Sequence, residues 1–340
     1  MAPWGKPQVI GVPTVQGYAK TTGPHWPHTV CVSAIINPET TMILCCGEAL
    51  IDMLPRVTEA GETAFAPYAG GAVFNTAIAL GRLGAPSGYF GGISTDLFGR
   101  LLEDTLIASR VDPSLAPRSD RPTTLAFVTL TDGHAQYAFY DENTAGRMMT
   151  EADLPPLGLD VKALFFGGIS LVSEPAADAL AAFCTRDSER LVMIDPNIRP
   201  GFIRDETAYR ARLDRMLMRA DVVKLSDEDM AWLGTTPEAL IARDTRVVLI
   251  TRGAEGVDLT TAAGTRRIEA TPVTVVDTVG AGDTFNAGFL AGLQDAGLLD
   301  RKALQDASLD SLLPAVQLGA RAAAITVSRA GANPPWDKEL

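Results

Sequence analysis

From Met42 onward the chain alternates short apolar runs with amphipathic stretches, and this alternation constrains its fold more than any other feature. The runs at 43–46, 88–91, 163–167, 191–195, 222–224 and 247–251 read as core strands, each followed by sequence that can form a helix. That is the pattern of βα units wound around a mostly parallel sheet, an α/β architecture. Between residues 73 and 83, Val73, Ala77 and Leu80 recur at helical spacing, and Gly84 ends the helix. Two polar-alternating runs, 123–131 and 136–140, are joined by Asp132-Gly133, a strong hairpin signal. They read as a small antiparallel flap. With a segment near 56–68 it would cover the carboxyl ends of the main strands, where open α/β sheets bind ligands.

The first 41 residues differ: Pro3, Pro7, Pro13, Pro24, Pro27 and Pro38 break any sustained period. They read as an upstream extension without order of its own, carrying no secretory signal pattern. The chain has 340 residues, and no run of about 18 apolar residues suited to a membrane span occurs in it. A net charge of -12 excludes a general nucleic-acid or anionic-membrane binder, which needs a basic surface. A phosphorylated ligand is still compatible, because backbone N–H groups, a metal ion and a few arginines can meet its charge locally. The four cysteines, Cys31, Cys45, Cys46 and Cys184, form no CxxC pair and point to a reducing, cytoplasmic setting. Cys45, Cys46 and Cys184 sit in apolar surroundings and read as buried small hydrophobes.

The most informative segment runs from Asp277 to Phe289, with Gly280-Ala281-Gly282-Asp283 at its centre. Phe285, Phe289 and Leu293 recur every four residues, giving a helix with one buried face behind a turn of small residues. Unpaired N–H groups at such a helix start, aligned with its dipole, stabilise negative charge on a transferring phosphoryl group. Asp283 lies in the first turn, where the dipole would keep its carboxylate ionised and able to take a proton from a hydroxyl. The competing explanation is a simple helix cap. The joint occurrence of glycine-rich loop, acid and apolar helix favours chemistry. There is no GxxxxGK[ST] sequence, so a P-loop is unsupported, and the dinucleotide fingerprint of oxidoreductases is absent.

This segment, together with Ala69-Gly70-Gly71-Ala72-Val73-Phe74-Asn75-Thr76-Ala77, resembles the two signatures of the PfkB, or ribokinase-like, carbohydrate kinases, and within them most nearly the bacterial fructokinases. The resemblance covers residues 42–336. It implies a ribokinase-like three-layer α/β sandwich with a small β-sheet lid at about 54–68 and 121–145. It also implies ATP and Mg2+ as cofactors, with K+ as an additional candidate, and a homodimer formed through the lid.

By the same resemblance, Asp283 would be the base, beside an anion cradle at Gly280, Ala281 and Gly282. Asp52, Gly70, Gly71, Asn75 and Arg199 would bind the sugar. Ser226, Thr251, Gly253, Ala254, Gly256 and Gly282 would meet the nucleotide. Asp229 would organise magnesium through water, although Ser226 and Asp229 replace the family's usual asparagine and glutamate. Asp277, Val279, Arg329 and Gly331 would form the loop for a monovalent cation, largely through backbone carbonyls.

Fructose is the first choice of substrate that the resemblance implies, because the segments 195–200 and 139–147 are similar to those of fructokinases. Asp141 after Tyr140 would repel an acid sugar such as ketodeoxygluconate, although Arg147 could compensate. Ribose and nucleosides stay open, as does a sugar-binding regulator of the same fold that has lost catalysis.

Overall fold

The computed structural model describes residues 41–131 and 134–340. The expected extension up to residue 40 and the Asp132-Gly133 turn lie outside these residues. A sheet of nine strands forms the centre, in the order Gly264–Ile268, Val257–Thr261, Val247–Thr251, Val222–Ser226, Leu191–Asp195, Val161–Gly167, Met42–Cys46, Ser87–Phe90 and Val111–Asp112. From Val247–Thr251 to Val111–Asp112 all neighbours are parallel. The apolar runs follow from double-sided burial, since side chains alternate between faces. Ile43 and Cys45 enter a core with Val73, Ala77, Phe285 and Phe289 on one face. Leu44 and Cys46 enter a second core with Leu180, Phe183 and Leu213 on the other. Two helical layers thus enclose the sheet. Cys45, Cys46 and Cys184 are free and buried, and burial pushes the Cys184 thiol up to about 12, so it is unreactive.

One sequence expectation is corrected at the far edge: no helix follows Val247–Thr251. A short turn, Gly253–Glu255, leads instead into two antiparallel strands, Val257–Thr261 and Gly264–Ile268. Gly256 makes this reversal, with φ +95° and no room for a Cβ, which would lie 2.0 Å from the Ile268 carbonyl. Asp258 then ties the edge together by accepting from Arg252 Nε and Arg267 Nε, each at 2.7 Å.

The second sheet has four strands in the order Thr63–Gly70, Leu50–Val57, Leu125–Thr131 and His134–Tyr140. It extends beyond the expected 54–68 on both sides. Leu50 pairs with Gly70 and Ile51 with Leu125, because the strand starts inside the core, where Ile51 is fully buried. Beyond residue 336, Glu339 Oε1 accepts from Arg329 at 2.8 Å and tethers the last turn. Met42–Cys46 pairs on both sides with strands later in the sequence, one through each direction of winding. Its carboxyl end is therefore a switch point, where a crevice opens.

Candidate active site

Gly47 and Glu48 follow that switch-point strand. Glu48 Oε1 accepts from the Ala72 amide at 2.9 Å and Oε2 from the Ser170 amide at 3.2 Å. The half-buried carboxylate thus joins the start of the helix Ala72–Arg82 to the turn after Val161–Gly167, and desolvation raises its proton affinity. Gly71 precedes the helix with φ +109°, and a Cβ there would lie 2.9 Å from the Glu48 carbonyl oxygen. Only glycine fits. Asp52 on Leu50–Val57 faces Gly70, where a Cβ would lie 2.3 Å from Asp52 Oδ2. Gly70 therefore makes room for a carboxylate, and burial pushes that carboxylate up to about 6.

The helix Ala281–Asp295 starts opposite this cluster. Gly280 adopts φ +78°, and a Cβ would lie 2.7 Å from the Ala332 Cβ. Asp277 holds the preceding loop by accepting from the Val279 amide at 3.0 Å and the Gly331 amide at 2.9 Å. Asp277, Val279 and Gly331 are thereby brought together, whereas the Arg329 guanidinium pairs with Glu339. In the first helical turn, Asp283 Oδ2 accepts from Asn75 Nδ2 at 2.9 Å, a bond that spans 208 positions of sequence.

The expectation that the helix dipole keeps Asp283 ionised is corrected. Burial, aided by the negative charges of Asp195 and Glu48, pushes its carboxyl up to about 7. The Asn75 hydrogen bond and the Lys224 charge oppose this without overcoming it.

Three buried residues beside the cradle had drawn no assignment from the sequence. Asp195 Oδ2 accepts from Lys224 Nζ at 3.0 Å and from Asn286 Nδ2 at 2.7 Å. A Cβ at Gly282 would come within 3.2 Å of Lys224 Nζ, so this ammonium lies against the first turn of the helix. A lysine inside an otherwise apolar run was the available signal, since a buried ammonium requires a partner.

On the other flank, a cavity of about 520 Å³ is lined by Thr251, Gly253, Ala254, Gly256, Ala281 and Gly282, with Phe285, Val275 and Val327 among its apolar walls. It brings the glycine turn and the cradle to one space. Ser226 does not line it; its hydroxyl caps Asp227–Leu233 by accepting from the Asp229 amide at 3.0 Å.

Asp229, expected to organise magnesium through water, is held by the backbone around it. Its Oδ1 accepts from the Ile198 amide at 2.8 Å and its Oδ2 from the Ser226 amide at 3.0 Å, making it a buried backbone anchor. Among the described residues no group of three or more His, Cys, Asp or Glu side chains is placed to hold a metal. Arg199 is exposed, donates to the Ile198 carbonyl at 3.1 Å and has no acidic partner among the described residues.

A buried carboxylate at a glycine-rich helix start, between the carboxylate-lined switch point of the sheet and a cavity of about 520 Å³, defines a ribokinase-like phosphotransferase. The pfkB family of carbohydrate kinases matches residues 40–339, and the chain belongs to that family. A fructokinase of Rhizobium leguminosarum bv. trifolii is 54% identical over 276 residues, 79% of this chain and 84% of that protein. A fructokinase from Xylella fastidiosa solved with bound ATP superposes with TM-score 0.79 at 29% identity, covering 86% of this chain and 94% of that one. A Vibrio cholerae fructokinase holding fructose, ADP and calcium gives TM-score 0.73 at 25% identity, over 86% and 94% of the two chains. Among the described residues, no helix is long and apolar enough to cross a membrane.

Proposed function

We propose that this carbohydrate kinase transfers the γ-phosphoryl group of ATP to the primary 6-hydroxyl of D-fructose. The observation that carries the reading is the first turn of Ala281–Asp295: Ala281 and Gly282 line the large cavity, while the next residue, Asp283, bonds Asn75. One turn of helix thus joins a triphosphate pocket to a hydroxyl-binding cluster.

In this mechanism Asp52, Asn75 and the backbone at Gly70 and Gly71 hold the sugar hydroxyls. Asp283 accepts the proton as the sugar oxygen attacks the γ-phosphorus in line, and the bond to ADP breaks. The amides of Gly280 and Gly282, with that of Ala281, which donates to the Thr278 carbonyl at 3.3 Å, meet the charge spread over the transferring oxygens. Thr251, Gly253, Ala254 and Gly256 border the nucleotide. The apolar wall of the cavity suits a purine ring.

Mg2+ is proposed as the metal that accompanies the nucleotide phosphates, because it is usually held by substrate phosphates and water with only one or two carboxylates. K+ is proposed for the loop clamped by Asp277. The small sheet leaves Val57, Tyr68 and Tyr140 exposed at 76%, 44% and 61%. That supports its proposed roles as lid and as the face of a cytoplasmic homodimer.

An ATP-coupled assay across fructose, ribose, glucose, ketodeoxygluconate and adenosine tests the substrate. Fructose should give the highest kcat/KM. A higher value for any other acceptor overturns the assignment, and binding without turnover on all five would identify a regulator.

A further inference from the structure

We infer that Lys224, held by Asp195 and Asn286, is a positioning residue of the phosphoryl-transfer centre that sets the proton affinity of Asp283. The inference rests on the reading of Asp283 as the base.

Lys224 occupies a strand in the middle of the sheet and is only 5% exposed, as is Asp195 at 2% and Asn286 at 1%. Burying an ammonium and a carboxylate is costly unless they are paired and hydrogen-bonded, and for stability alone an apolar pair would serve as well. The network is also not fully satisfied: Asp195 Oδ1 and Asn286 Oδ1 are buried with no hydrogen-bond partner among the described residues. Such an arrangement is costly to keep and calls for a reason beyond packing.

Its location supplies one. Lys224 Nζ lies against Gly282, the residue before Asp283, and Asn286 stands one helical turn after Asp283 on the same helix. Asp195 therefore fixes the ammonium from one side and the helix from the other. The charged groups acting on Asp283 come from separate elements: Lys224 and Asp195 from adjacent strands, and Glu48 from the loop after the first strand. Asn75 reaches it from the helix Ala72–Arg82 as a neutral donor.

With two negative neighbours and one positive, the carboxylate is poised so that a modest change in local charge shifts its ionisation. Removal of the lysine charge must raise the proton affinity of Asp283, because a cation favours the ionised form. Removal of the Asp195 charge must lower it. A merely structural role would reduce yield or stability in both cases and move the ionisation in neither.

The test is the pH dependence of kcat/KM for fructose between pH 5.5 and 9, which reports ionisations of the free enzyme. It is measured on the unsubstituted chain, Lys224→Met, Asp195→Asn and the double variant. The acid limb should move up by about one unit in Lys224→Met and down by about one unit in Asp195→Asn, the scale of a nearby charge. The double variant removes both charges and leaves no buried ion unpaired, so it folds even where Lys224→Met does not. Its limb should return to within about 0.5 unit of the unsubstituted enzyme as the two opposed effects cancel.

Lys224→Arg should preserve the midpoint. Unmoved limbs in folded Asp195→Asn and Lys224→Met, or shifts in the same direction, overturn the inference while leaving the kinase reading intact. An unsubstituted enzyme whose turnover has no acid limb, or no fructose turnover at all, removes Asp283 as the base and takes this inference with it.

Discussion

Replacing Asp283 by asparagine should make the protein more stable and nearly inactive, and the gain in stability should depend on pH in a defined way. In the folded chain burial pushes this carboxyl from 3.8 to about 7. The folded state therefore binds the proton more tightly than the unfolded chain does. The associated stability is fully present below about pH 4 and is lost as pH rises through 7. One unit corresponds to about 1.4 kcal/mol, so ionising Asp283 costs the fold about 4 kcal/mol at pH 8 and about 2 kcal/mol at pH 5.

Asparagine is isosteric, can still accept from Asn75, and does not titrate. Urea unfolding of both proteins at pH 5 and pH 8 should give an advantage to the variant about 2–3 kcal/mol larger at pH 8. Comparing the variant with its parent cancels the other titrating groups, including Glu48 and Asp52. Turnover should fall by about 100-fold or more, the cost of losing a general base. An equal stability difference at the two pH values would refute the argument that burial holds the proton on this residue, and near-normal turnover would remove it from the chemistry.

Three further outcomes follow from the same geometry. In the unsubstituted enzyme kcat/KM should rise about ten-fold from pH 6 to pH 8, as the ionised fraction of a group with its midpoint near 7 goes from about one tenth to nine tenths; a flat profile would contradict this. Gly71→Ala forces a side chain into φ +109° and to 2.9 Å from the Glu48 carbonyl, costing about 1–3 kcal/mol of strain and raising the KM for fructose about ten-fold, as read by steady-state kinetics. Gly280→Val strains φ +78° and drives Cβ toward the Ala332 methyl at 2.7 Å, so kcat should fall about ten-fold or more with fructose binding by calorimetry unchanged.

The sequence by itself determined the central strands and the two glycine-rich helix starts, because both are local. A strand buried on two faces must be largely apolar, as 191–194 and 247–250 are, and a helix entered through positive φ needs glycine at positions such as Gly71 and Gly280. The edge hairpin after Val247–Thr251 was not legible in the same way. Its strand Gly264–Ile268 is mostly exposed and carries little apolar pattern, so its pairing is set by Gly256 and the Asp258 ion pairs.

The site shows the same division. Asp283 and Asn75 announced themselves through their motifs, but their mutual hydrogen bond joins residues 208 positions apart and exists only once two helices have met. Asp229 drew its expected role from the family resemblance, and only the fold shows that both its oxygens accept from backbone amides. Lys224, Asp195 and Asn286 come from two strands and a helix, and only the sheet makes them one network. Ionisation was likewise left to the fold: desolvation depends on everything packed around a carboxylate, so the chain decides which acids it carries, and the tertiary structure decides which of them hold a proton near neutrality.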